Sequence, residues 1–294
     1  MQMELIRLMP ETSWQAVFDE GRQQEAMRQL EGGGLLVFPH LAFELTGNER
    51  RFLVPDVVHG KIKNVSYDAR EDVVRGATLG GSDVAALKQM LARYAQQSLD
   101  LVRSLLPRYV HCLQPARTSY RPAEACGRAS SWRKDDTRLH VDAFPSSPNQ
   151  GKRLLRVFSN INPDGKDRVW RVGEPFEQVA QRFVPEISRP LPGLARLLQF
   201  VGITKTRRTE YDHLMLQIHD HMKADGNYQA NVSSTELRLS PGSTWIVFSD
   251  SVSHAVLSGQ FLMERTFQLP VDAMFDPARS PLRILERVAA RPLV

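Results

Sequence analysis

The chain has 294 residues, 42% hydrophobic and 24% charged, which excludes a disordered or low-complexity protein and leaves enough chain to bury a core without staples. A formal net charge of +5 and a pI of about 9.3 favour an anionic partner, whether nucleic acid, a membrane face or a small acid. Two cysteines, Cys112 and Cys126, make neither a disulfide framework nor a paired zinc site, so both are expected as free thiols in a reducing compartment.

The first residues lack the apolar run of a signal peptide, and no stretch approaches the roughly 18 apolar residues that span a bilayer. The expected location is the cytoplasm, with peripheral contact at the inner membrane left open. Residues 19–30 read as a short helix stopped by Gly32-Gly33-Gly34. Leu35 to Phe38 is an apolar run ending at Pro39, like a short strand. After Gly80-Gly81, Ser82 is placed to cap a long helix through Leu106. Leu87, Met90, Leu91, Tyr94, Leu101, Val102 and Leu105 recur at helical spacing there, and Pro107 ends the run.

Beyond residue 109 the pattern changes to short apolar runs between turn residues. Strands are expected over 109–113, 129–132, 137–141, 154–161, 236–239, 244–248 and 265–270, with helices over 175–184 and 211–225. The fold class is α+β in one domain. Residues 1–108 form a mainly helical support, 109–278 a β-sandwich or jelly-roll core, and 279–294 a terminal helix.

One His-x-Asp triplet occurs, His140-Val141-Asp142, and no His-x-Glu. On a strand, residues two apart share a face, so an imidazole and a carboxylate aim at one point while Val141 turns away. More than a hundred residues later, Ser253-His254-Ala255-Val256 follows the apolar run from Thr244 to Phe248. Two histidines and one carboxylate on one face make the triad that leaves positions open on Fe(II). A keto acid can chelate two of these and dioxygen can take the third. The far carboxylate of the keto acid calls for a fixed cation, and Arg265, eleven residues past His254, offers a planar fork.

His140-x-Asp142, the long gap, His254 and Arg265 together resemble the pattern of the Fe(II)/2-oxoglutarate oxygenases, whose ligands lie on a double-stranded β-helix, a distorted jelly roll. Three stretches are more specific: Ser131-Trp132-Arg133-Lys134 through Phe144-Pro145, Leu154-Leu155-Arg156 through Asn162-Pro163, and Val169-Trp170-Arg171-Val172-Gly173-Glu174. These resemble the bacterial Kdo hydroxylases, which hydroxylate C3 of 3-deoxy-D-manno-octulosonic acid (Kdo) in lipopolysaccharide. The resemblance spans most of the chain. It implies Fe(II) on His140, Asp142 and His254, 2-oxoglutarate and O2 as co-substrates with Arg265 as the keto-acid anchor, and an acidic, lipid-linked Kdo sugar as substrate. Two rival readings stay open. A zinc hydrolase would use the same ligands and leave Arg265 without a task. A non-enzymatic, anion-binding β-sandwich would need the basic surface but not the triad.

Arg117, Arg121, Arg128, Arg133, Lys134 and Arg138 crowd the approach to His140, and Lys152, Arg153 and Arg156 follow it. Each alone reads as solvated surface. As a group they suit sugar carboxylates or lipid phosphates, and Arg133, Lys134, Arg138 and Arg156 are assigned that role. His219-Asp220-His221 invites a second metal site, but residues two apart on a helix point about 200° apart, so the stretch reads as a solvated helix face. His40, His59 and His111 have no ligand-spaced partners. Ser280-Pro281 opens the terminal helix, where Arg283, Arg287 and Arg291 share a stripe. That helix either packs on the barrel or rests on an anionic membrane. The chain carries no dinucleotide fingerprint, P-loop or serine-hydrolase elbow, and nucleic acid is not among the expected partners.

Overall fold

The structure, a computed structural model, describes residues 4–59, 62–127 and 130–294. Arg128 and the start of the strand expected over 129–132 lie outside the described residues.

Strand β1 (Ile6–Leu8) precedes helix α1 (Glu20–Glu31), which begins where the Asp19 carboxylate accepts from the Arg22 amide at 2.8 Å. The glycine run then turns the chain into β2 (Leu35–Phe38), buried along its whole length. β3 (Val65–Asp68) and β4 (Val73–Arg75) form a hairpin. Helix α2 (Gly81–Leu105) buries the expected apolar stripe from Leu87 to Leu105. Gly80 occupies its cap, so Ser82 lies inside the first turn rather than before it.

The core continues through β5 (Gln114–Arg121), β6 (Arg153–Asn160), β7 (Arg168–Pro175), α3 (Phe176–Phe183), α4 (Leu194–Phe200), α5 (Glu210–Ala224) and α6 (Gly226–Asn231). It closes with β8 (Thr235–Leu239), β9 (Thr244–Phe248), β10 (Val252–Ser258), β11 (Leu262–Leu269) and α7 (Pro281–Ala289). Eight strands make one sheet in the order β1-β2-β9-β6-β11-β5-β3-β4, and β10-β7-β8 make a second. Among the described residues, only β1 and β2 pair in parallel.

Side-chain alternation sorts these strands into layers. Phe158, Trp245, Val247 and Leu262 of the large sheet meet Trp170, Val172, Leu237 and Val256 of the small one. Leu155, Val157, Ile246, Met263 and Phe267 point the other way, into a core shared with α1 and α2. The fold is thus a jelly-roll sandwich whose larger sheet is backed by helices. Phe158, Trp170 and Trp245 form a ring cluster with centroids 5.3–5.6 Å apart between the sheets. Full burial of such side chains contributes about 1.5–3 kcal/mol each.

Four expected strands, at 154–161, 236–239, 244–248 and 265–270, correspond to β6, β8, β9 and β11. The run 109–113 is instead a turn: Pro107–Tyr109 is a short 3-10 helix, and β5 starts only at Gln114. Residues 137–141 form no strand, since His140 alone makes a bridge, with His254. Residues 130–132 form none either, because Trp132–Lys134 is a 3-10 turn. β7 and β10 were not expected as strands. Polar residues interrupt their apolar runs, Arg171 in β7 and Ser253 and His254 in β10. Residues 1–108 supply four strands besides two helices, so this region completes the large sheet as well as supporting it. Among the described residues, no helix is long and apolar enough to cross a membrane. Cys112 and Cys126 are exposed and unbonded.

Candidate metal centre

His140 is held between the sheets by reciprocal backbone bonds: its amide donates to His254 O at 3.0 Å and accepts back from the His254 amide at 2.8 Å through its own carbonyl. Two residues on, the Asp142 amide donates to Ser249 O at 2.9 Å, just past β9. β10 carries a register shift between Val252 and His254, a device that re-aims a side chain at a site. The ligand atoms of His140, Asp142 and His254 lie within 4.8 Å of one another, and all three residues are buried.

Each histidine is oriented by its other nitrogen. His140 Nδ1 lies 2.8 Å from Arg138 O, and His254 Nδ1 lies 2.8 Å from Val252 O. A carbonyl only accepts, so both Nδ1 atoms carry the proton and both Nε2 atoms are free to coordinate. Trp170 stacks on His254 with centroids 4.9 Å apart. Burial lowers the pKa of both imidazoles, that of His140 well below its ordinary value, which keeps them neutral. Burial alone would raise the Asp142 carboxyl. Arg156, 3.2 Å from Oδ2, and the two imidazoles outweigh it and hold Asp142 below the usual carboxylate range. Among the described residues, Asp142 Oδ2 has no hydrogen-bond partner. Two free imidazole nitrogens and one ionised carboxylate on one side fit a divalent ion with further positions open.

Beside the ligands, Arg156 Nη1 lies 3.3 Å from Glu264 Oε1, and Arg121 Nε donates to Glu264 Oε2 at 2.8 Å. Arg168 Nη1 donates to Gly259 O at 2.7 Å. Gly259 is required there: its φ is 118°, and an added Cβ would sit 2.7 Å from Arg168 Cδ. Burial, then the neighbouring Arg121, lowers Arg168 to about 10. Burial works to raise Glu264, but Arg121 and Arg156 hold it below its ordinary value. Nε of Arg156, Nε of Arg168 and Nε1 of Trp170 are buried without hydrogen-bond partners among the described residues. Unused donors of this kind cost free energy until an acceptor arrives, and carboxylate oxygens are suited to them. A cleft of about 140 Å3, lined by Lys63, Arg121, Lys134, Asp136 and Arg168, opens beside them.

Of the four residues assigned to the substrate, the structure brings only Arg156 to the ligands. Lys134 lines the cleft. Arg133 is exposed and pairs with Asp220 at 3.0 Å. Arg138 pairs with Asp135 and donates to Lys223 O, so it ties loops together. Arg265 is not brought to the triad. It follows Glu264 on β11 and therefore faces the helical side of the sheet, donating from Nη1 to Ala116 O at 2.9 Å and Thr118 Oγ1 at 2.7 Å. A shift of one residue along a strand exchanges its faces, and an offset counted from His254 does not resolve that.

His219 also departs from its expected place. Its ring packs edge-on against His140 at 5.4 Å, and its side chain is 13% exposed. His221 points elsewhere, toward Glu186 and Phe183. The two histidines diverge as expected, but one of them faces the site. The apolar stripe Leu214, Met215, Ile218 and Met222 runs beside His219 and carried that signal.

The family model described as 3-deoxy-D-manno-oct-2-ulosonic acid (Kdo) hydroxylase matches residues 13–292. A search of curated proteins found no match. Among solved structures, the chain is similar to the Kdo hydroxylase KdoO, a non-heme Fe(II) α-ketoglutarate-dependent dioxygenase, in complex with α-ketoglutarate and Fe(III). The identity is 47% and the TM-score 0.96, over 99% of this chain and 98% of that one. The cobalt(II) complex of KdoO matches at 48% identity and a TM-score of 0.97, over 99% and 98%. Its complex with succinate and Fe(III) matches at 47% and 0.96, with the same coverage. Family match, fold and buried triad agree: the chain belongs to the Kdo hydroxylase family.

Proposed function

We propose that this chain is an Fe(II)- and 2-oxoglutarate-dependent dioxygenase that hydroxylates Kdo at C3, in a lipid-linked form, with residues 1–294 acting as one catalytic domain. The observation that carries the reading is the buried triad of His140, Asp142 and His254, bordered by unpartnered arginine and tryptophan donors. Bound iron and 2-oxoglutarate supply the oxidising chemistry: the keto acid is decarboxylated to succinate and CO2, coupled to hydroxylation of a C–H bond. The chain's own residues bind, orient and exclude water.

His140, Asp142 and His254 hold the ion. Arg156 fixes the Asp142 carboxylate and offers its free Nε to a keto-acid carboxylate, and Arg168 and Trp170 each offer one more donor. These three, rather than Arg265, are the proposed keto-acid contacts. Lys134, at the cleft and without an ion pair among the described residues, is the proposed partner of the sugar carboxylate. The proposed setting is the cytoplasmic face of the inner membrane.

Oxygen-dependent succinate release, measured with and without a Kdo-bearing lipid A precursor, tests the reading. Release is expected to rise with the acceptor, and one oxygen atom from O2 is expected at C3 of the sugar. A zinc-dependent hydrolysis of the same acceptor, indifferent to O2, would refute it.

A further inference from the structure

The formal charge of this chain is gathered in one surface segment. Between Ile187 and Thr209 stand Arg189, Arg196, Lys205, Arg207 and Arg208, with no aspartate or glutamate. Of 38 basic and 33 acidic residues these five are the whole excess, so the rest of the chain is balanced. None of the five has an ion pair among the described residues. The basic stripe of α7 contrasts with this: Arg279, Arg283, Arg287 and Arg291 pair with Asp276, Glu286, Glu177 and Glu210.

The same segment exposes Leu191, Leu194, Leu197, Phe200, Val201 and Ile203, with Phe200 89% exposed. Helix α4 lies at its centre and buries no residue at all. A surface helix of a globular protein ordinarily turns its apolar side to the core. Here Gly193 (φ 81°) and Gly202 (φ 73°) bracket a short helix that presents that side outward. A cleft of about 600 Å3 runs between α4 and the chain's last residues, with Leu194, Leu198 and Val294 on its walls and Arg196 and Arg207 at its edge.

The segment is built onto the metal centre. The Lys205 amide donates to Ser146 O at 3.0 Å, and Arg208 Nη2 donates to Pro145 O at 2.7 Å. Pro145 and Ser146 belong to the loop that leaves the ligand Asp142.

We propose that residues 187–209 are a docking hairpin for an anionic lipid bilayer. Leu197, Phe200, Val201 and Ile203 enter the boundary between headgroups and acyl chains, and the unpaired cations lie among the lipid phosphates. Charge complementarity selects this occupant: the segment joins exposed apolar side chains to five unpaired cations and carries no acidic residue of its own, and of the acids that flank it Glu210 is paired with Arg291. The inference gives the proposed lipid-linked substrate its route to the metal and rests on that reading for its purpose, but its physical test needs no substrate.

The iron-loaded full chain is floated with vesicles of phosphatidylethanolamine and phosphatidylglycerol, and separately with phosphatidylcholine alone. Binding is expected on the anionic vesicles, weakening with salt, and little on the neutral ones. The double variant Leu197→Ser/Phe200→Ser should lose flotation. The triple variant Arg196→Gln/Lys205→Gln/Arg207→Gln should bind on the order of a hundredfold more weakly, at about fivefold per cation near an anionic surface. All five altered positions are on the surface segment, so both variants should keep the parent's melting temperature and iron content. They should also keep their turnover of a short soluble Kdo saccharide while losing turnover of lipid-linked acceptor in vesicles. A parent chain that ignores anionic vesicles overturns the proposal. So do variants that float as the parent does, or a parent dimer that either variant dissolves, which would assign the patch to a second copy. If flotation behaves as expected but no Kdo acceptor is ever oxidised, the docking surface stands and the substrate reading falls.

Discussion

Glu264 and Arg265 are neighbours on β11 that serve opposite faces of one sheet: Glu264 joins Arg121 and Arg156 beside the proposed metal ligands, and Arg265 lies against Thr118 and Phe267 on the helical side. Arg265→Met should therefore lower stability by about 2 kcal/mol through lost charge-assisted bonds and leave the 2-oxoglutarate requirement unchanged. Arg156→Met should raise that requirement roughly tenfold to hundredfold, as expected for one lost bond to a charged group. Thermal melts and succinate release titrated against 2-oxoglutarate separate the two. The reverse pattern would restore Arg265 as the keto-acid anchor.

Asp142→Ala should abolish turnover and metal content without unfolding the chain, because Asp142 sits between the sheets at a rim rather than in either hydrophobic core. Metal analysis and circular dichroism of the purified variant check this. Normal activity in it would end the triad assignment.

His219→Ala and His221→Ala should both keep their iron, since neither ring belongs to the ligand cluster. Only His219 touches a ligand ring, so its removal should slow turnover while His221→Ala behaves as the parent. Loss of iron from either variant would show a wider metal site.

Arg153 and Asp250 form a fully buried pair at 2.8 Å, with Ser251 also accepting from Arg153. Asp250 lies where β9 turns into β10, the turn whose Ser249 carbonyl holds the Asp142 amide, and Arg153 reaches it from the start of β6. Arg153→Met should cost about 3–5 kcal/mol, because it strands a buried carboxylate, and it should weaken iron binding as the turn loosens. Adding Asp250→Leu should recover part of the stability. A denaturant melt with no recovery in the double variant would argue against the pair as the source.

Deleting the chain from Ser280 onward removes the buried side chains Leu282, Ile284 and Leu285. At about 1.5–3 kcal/mol each, the truncated chain should unfold or melt at a much lower temperature. A stable truncated form would return the terminal helix to the alternative in which it rests on a membrane.

The pair His140 and Asp142 of the proposed triad was legible in the sequence because its spacing is local and only one such triplet exists, whereas His254, more than a hundred residues on, was reached through the resemblance to the oxygenase pattern. Strong apolar strands such as β6 and β9 were legible for the same reason, as were α2 and the Ser280 cap of α7, whose hydroxyl accepts from the Arg283 amide. What failed was facing. Arg265, Arg156 and Glu264 differ by sheet parity and register, which depend on pairing partners far along the chain. β7 and β10 were missed because sandwich strands with polar outer positions lack an apolar run. His219 was missed although the stripe Leu214, Met215, Ile218 and Met222 marks the buried side of α5, because its contact with the distant His140 depends on tertiary packing.

The bridge between His140 and His254 makes two of the proposed ligands mutually dependent. Neither backbone can move away without breaking hydrogen bonds that also position the other, and the Val256 amide adds a further tie to Asp136 O at 2.8 Å. The crossing segment and β10 therefore behave as a clasp with the ion as its pin. Chelation should unlock both sides at once and speed amide hydrogen exchange at residues 140 and 254 together. Returning the metal should slow them together, because a clasp of this kind has no half-closed state.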